Sequence, residues 1–128
     1  MAFAVTPLVE GFRFLLSRAM TGEKKQSARK ELVIGFFDIS REPFQSPVRK
    51  KIAIRVPHGD ASCPSGVAML NRVMHGTKDA AQCFDMYCER TMEQLNYRVG
   101  EFNPCVCRHA VNDLSVIRHG DDFVVLAT

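Results

Sequence analysis

The segment from Leu32 to Ile39 constrains this chain more than any other. It is an almost unbroken run of apolar, β-forming residues carrying one carboxylate, Asp38, near its end. A run of this kind, without polar alternation, predicts a β-strand buried on both faces. It therefore puts an acid inside or at the rim of a core, where an unpaired charge is costly. Composition sets the scale around that strand. With 128 residues, 46% hydrophobic and 24% charged, the chain suits one globular domain, and collagen-like, disordered and membrane-spanning classes are excluded. A chain this long buries roughly two-thirds of its unfolded surface, enough for a core without disulfides.

The remaining elements follow from periodicity and punctuation. Thr6-Pro7 predicts a helix start, with Leu8, Val9, Phe12, Leu15, Leu16, Ala19 and Met20 recurring at helical spacing and Gly22 as the stop. Residues 23 to 30 read as a polar, basic loop. Ile52, Ile54 and Val56 alternate with Lys51, Ala53 and Arg55, the pattern of a half-buried strand. Residues 57 to 66 form a loop, and 67 to 75 fit either a strand or a helix. Asp79 to Leu95 is the strongest helix, with Ala80, Phe84, Tyr87, Cys88, Thr91 and Leu95 on one face. A strand from Pro104 to His109, a turn at Asn112-Asp113, a return from Leu114 to His119 and a last strand from Phe123 to Ala127 complete the chain. This order predicts an α+β domain, a mainly antiparallel sheet packed on two helices.

Charge and cysteine usage narrow the setting. Lys and Arg number 17 against 14 acids, and a formal charge of +3 permits a polyanionic partner without requiring one. Five cysteines, an odd number with no framework of small loops, point to a reducing intracellular compartment, cytoplasm or nucleus, rather than secretion. Glu10, Arg13 and Arg18 interrupt every apolar run near the start, so neither a signal peptide nor a membrane partner is expected. Cys83 and Cys88 read as small core-facing residues of the long helix. Cys105, Cys107 and His109 share a strand face but lack a fourth zinc ligand and the usual ligand spacing. His58, His75 and His119 have no Ser or Cys partner at a recognisable spacing. The basic residues Lys24, Lys25, Arg29, Lys30, Arg49, Lys50 and Lys51 suit either phosphate contact or simple solvation.

The carboxylates carry the sharpest chemistry. Gly120-Asp121-Asp122 lies between two apolar strands, which predicts two adjacent acids at the tip of a tight hairpin. Turn formation alone explains such a pair, because Asp tolerates turn geometry and bonds its own backbone. Asp38 adds to it. If its strand lies beside the hairpin, three acids converge on one edge, repelling one another unless a divalent cation neutralises them. All-oxygen ligands suit Mg²⁺, and two such ions about 4 Å apart serve in-line displacement at phosphorus.

Four stretches in order, residues 32 to 41, 75 to 84, 103 to 106 and 119 to 123, resemble the successive palm motifs of copia-type retrotransposon reverse transcriptases, part of the Pol polyprotein. The resemblance runs from about Thr6 to the end. It implies a reverse-transcriptase palm-like fold and an RNA-directed DNA polymerase that joins a deoxynucleotide to a primer 3′-hydroxyl on an RNA template. It implies two Mg²⁺ ions held by Asp38 and Asp121, with Asp122 assisting. It also implies nucleotide or template contacts at the backbone of Ile39, at Phe44, and along Gly76, Lys78 and Gln82. The family usually has Ala and then an aromatic four and five residues after the first Asp; here Glu42 and Pro43 stand there, and Phe44 follows one place late. Residues 1–128 are then expected to be a single partial domain, a truncated palm fragment without fingers, thumb or RNase H, with little activity unless the remaining Pol domains are supplied. Two alternatives stand beside it. One is a viral RNA-dependent RNA polymerase, which also displays Gly-Asp-Asp. The other is a non-enzymatic remnant of the palm fold that binds nucleic acid or is purely structural.

Overall fold

The computed structural model describes residues 9–21 and 32–127. The expected helix start at Thr6-Pro7 and the basic loop with Lys24, Lys25, Arg29 and Lys30 lie outside the described residues. Helix α1 spans Val9–Thr21, with Leu15 its one buried side chain. Strand β1 is Val33–Asp38, and β2 (Ala53–Arg55) pairs with β3 (Val67–Met69) in a separate two-stranded sheet. Helix α2 runs from Ala80 to Gln94, within one residue of the span that its apolar spacing predicted. Strands β4 (Tyr97–Val99), β5 (Val106–His109), β6 (Ser115–His119) and β7 (Asp122–Ala127) then follow. They join β1 in a five-stranded sheet of order β1-β7-β6-β5-β4, antiparallel throughout. The expected α+β domain with two helices and a mostly antiparallel sheet is therefore observed.

The helices sit on opposite faces of this sheet. Alternate side chains of each strand point to opposite sides, so Cys107, Val116 and Phe123 meet Phe84 and Cys88 of α2. Ile117 and Leu126, from the other face, meet Leu15 of α1. Each face thus owns a small apolar cluster, and the sheet is the shared middle layer. Cys83, Cys88, Cys105 and Cys107 are all buried and behave as small apolar side chains. Burial pushes all four thiols above their ordinary value, Cys88 to about 11. His109 is not a metal ligand candidate: its ring packs edge-on against Tyr97, and its Nδ1 accepts the amides of Val111 and Asn112.

One expectation fails. The Leu32–Ile39 segment does form a strand, but not one buried on both faces. Among the described residues it is the margin of the sheet, paired to β7 alone, and Val33, Phe36 and Phe37 are 59%, 70% and 60% exposed. Strand β4 was not expected at all, and of the ambiguous 67–75 stretch residues 67–69 form a strand and Arg72 an isolated bridge to Pro47. Among the described residues, no helix is long and apolar enough to cross a membrane.

Candidate metal centre

Sheet register assembles the acidic site. Asp38, the last residue of β1, stands directly opposite Asp122, the first of β7, and Asp122 in turn stands opposite His119 at the end of β6. Three side chains therefore form a row across the end of the sheet, on the face that carries α1 further along. Between β6 and β7 the chain reverses over Gly120 and Asp121. Gly120 has φ +60 and Asp121 does not have a positive φ, the pattern of a type II′ hairpin turn, whose first central position favours glycine. The Ile39 N–H donates to the Asp121 carbonyl at 2.9 Å. That bond extends the β1–β7 ladder one step past Asp38 and fixes the turn against β1.

The result is a compact set of oxygens. One carboxylate oxygen from each of Asp38, Asp121 and Asp122 lies within 4.8 Å of the other two. Asp121 is half-buried; its companions are exposed. Like charges directly opposite on neighbouring strands oppose sheet pairing, so this end of the sheet is held together against its own electrostatics. A divalent cation reverses the sign of that interaction, and three carboxylates are the hard, oxygen-only donor set that Mg²⁺ or Ca²⁺ takes. The donor set therefore fits the ion that the sequence led one to expect.

A fourth acid stands close by. Glu42 begins a 3₁₀ turn over Glu42–Gln45, entered through Arg41 in the left-handed conformation at φ 56. Burial pushes the Glu42 carboxyl above its ordinary value, and the Asp121 charge pushes it the same way; His75 works against both. Sequence comparison with the palm motifs marked Glu42 only as a departure, and nothing in the spacing tied it to the hairpin. Phe44 packs edge-on against His75, with ring centroids 5.6 Å apart. This brings the 3₁₀ turn against the loop ahead of α2.

The other candidate residues spread out. Gly76 takes φ +85 in the turn before α2, and Lys78 is exposed beside it. Gln82 accepts a hydrogen bond from Arg49 at 3.1 Å. Among the described residues, no hydrogen bond or ion pair joins Gly76, Lys78 or Gln82 to the carboxylates. The Ile39 amide is engaged by Asp121, so its observed work is to position the hairpin.

Behind the row lies a buried ion pair that the sequence did not suggest. Arg118, 4% exposed, donates to Asp85 of α2, itself 8% exposed. Burial on its own would weaken the guanidinium's hold on its proton; the Asp85 hydrogen bond and charge outweigh that, and its affinity for the proton is raised. Arg118 immediately precedes His119 in β6, so the pair anchors the hairpin's root to α2. An apolar cavity of about 280 Å³ opens on the same side, between Ile39, Phe123 and the Phe84–Leu95 face of α2. In comparisons with known proteins, no family model matches this chain and no solved structure matches it significantly.

Proposed function

We propose that this domain is the palm of a copia-type RNA-directed DNA polymerase, with Asp38, Asp121 and Asp122 as its Mg²⁺ ligands. One observation carries the proposal. An acid at the end of one strand and two acids on a tight hairpin converge within 4.8 Å, at the positions that match the metal-holding acids of the palm motifs. When bound, Mg²⁺ would supply charge neutralisation at a transferring phosphoryl group and a lowered pKa for an attacking hydroxyl. The chain's own contribution is placement. β1 and β7 fix Asp38 against Asp122 by register, the Ile39–Asp121 bond sets the turn, and the Arg118–Asp85 pair holds the hairpin to α2. RNA template, DNA primer and deoxynucleotide are the partners that this reading assigns.

A Mg²⁺ titration followed by thermal denaturation tests the metal site. A dissociation constant exceeded 100-fold by free Mg²⁺ corresponds to about 2.7 kcal/mol of added stability. We expect Mg²⁺ to raise the midpoint of the wild-type chain and to leave Asp121→Asn and Asp38→Asn unmoved. Equal response of wild type and variants removes the proposed site. If Mg²⁺ binds there but a deoxynucleotide adds no further stabilisation with primer and template present, the polymerase reading fails and the non-enzymatic alternative takes its place.

A further inference from the structure

At the opposite end of the same sheet face lies a second polar site. Arg98 of β4 stands directly opposite Arg108 of β5, and Arg108 stands opposite Ser115 of β6. Both arginines are exposed, and both lie on the face that carries α1. Ser115 and His119 are four residues apart along β6, so this row lies roughly 13 Å from the carboxylate row. An open cleft of about 580 Å³ runs over it, lined by Arg18, Arg98, Arg108, His109 and the 110–113 turn.

Its charge is unbalanced. Among the described residues, Asp113 is the one acid lining the cleft, against three guanidinium groups. Arg18, from the last turn of α1, is already committed: it donates to Asp113 and, at 2.9 Å, to the Ser115 hydroxyl. Arg108 reaches Asp113 only at 3.7 Å, with its side chain 68% exposed. Arg98 forms no ion pair among the described residues. Two cross-strand guanidiniums facing each other cost sheet stability, as the opposed carboxylates do at the other end.

We infer that this cleft is a phosphate-binding site, in which Arg98 and Arg108 together grip the paired oxygens of a phosphate. Planar guanidinium forks match phosphate oxygens two at a time. The cleft is open and lined by polar groups, unlike the apolar, enclosing pockets that take neutral small molecules. Free polyphosphate and the phosphodiester chain of a nucleic acid present this same chemistry. The inference does not depend on the metal reading, since none of its residues belongs to the carboxylate row.

The test uses the whole chain, with pyrophosphate and a single-stranded thymidine oligomer as separate probes. Binding is followed by amide chemical shifts and by fluorescence anisotropy of labelled oligomer. We expect shifts concentrated at residues 98, 108 and 110–113, and about tenfold or greater weakening in the Arg98→Gln/Arg108→Gln double variant. For the oligomer, losing two phosphate contacts should also flatten the log–log salt dependence by about 1.4. Both side chains are solvent-facing, so the variant should retain the wild-type circular dichroism. Chelating divalent cations with EDTA should leave binding of both probes unchanged, which separates failure here from failure of the metal site. Binding of pyrophosphate alone identifies free polyphosphate as the source; preference for the oligomer identifies the nucleic-acid backbone. Undiminished affinity in the double variant, or shifts centred elsewhere, overturns the proposal.

Discussion

Breaking the Arg118–Asp85 pair should be among the most damaging single changes available in this chain. The two side chains are 4% and 11% exposed. Removing one partner from a buried pair leaves the other charge without compensation and typically costs about 3–5 kcal/mol. Domains of this size are stable by only about 5–15 kcal/mol. Asp85→Ala should therefore lose about 3 kcal/mol or more. Asp85→Asn, which keeps an acceptor but not the charge, should fall between Asp85→Ala and wild type. Replacing both, as Asp85→Leu with Arg118→Met, should recover most of the loss, because packed apolar groups incur no desolvation penalty for charge. Urea denaturation followed by far-ultraviolet circular dichroism suits a chain with no tryptophan. A loss below about 1 kcal/mol for Asp85→Ala, or a double variant no better than the worse single one, would refute the view that this pair is a buried, mutually dependent unit.

Three further outcomes follow from named geometry. Gly120→Ala places a side chain at φ +60 and should cost about 1–2 kcal/mol in urea denaturation. It should also weaken any cation response, because Asp121 follows directly. Phe36→Lys and Phe37→Lys, on a sheet margin open to solvent, should change stability by less than about 0.5 kcal/mol and reduce light scattering at high concentration. Unfolding of either variant would mean that β1 is covered in solution. Glu42 titrates near 4.5 when unfolded and higher when folded. In that window the folded chain holds the extra proton, so stability should fall as pH rises through it. Glu42→Gln should flatten that part of the pH profile, and an unchanged profile would assign the slope to another group.

What could be read from the residues was mostly local. The limits of α2 were legible because fifteen residues of 3.6-residue periodicity leave few alternatives, and the acid hairpin because glycine before two aspartates between apolar runs has one economical geometry. The convergence of Asp38 on that hairpin was conditional on strand neighbours, and register supplied the condition. Periodicity also misled. An unbroken apolar run such as Leu32–Ile39 looks the same whether a strand is central or marginal, since edge position is decided by which strands pair and not by the strand itself. β4 is three residues long with Arg98 at its centre, too short to show alternation. No spacing in the chain singles out Asp85 or Arg118, because their pairing depends on α2 packing across β6. Arg98 and Arg108 become neighbours only through a register that no spacing in the chain declares.

The marginal place of β1 has a further consequence for the acidic site. Among the described residues β1 is held along one side only, by β7, so it can peel from the sheet in a local opening that leaves β6, β7 and the hairpin intact. Such an opening carries Asp38 away and leaves Asp121 and Asp122 behind. A cation bridging Asp38 to the hairpin ties together positions 83 residues apart in the chain, and it binds the closed form alone. Occupancy would then slow hydrogen exchange of the β1 amides selectively, by a factor of one plus the ratio of free cation to its dissociation constant. Ion affinity and the fraying of a strand would become a single free energy, measured once by titration and once by the rate at which amides trade protons for deuterons.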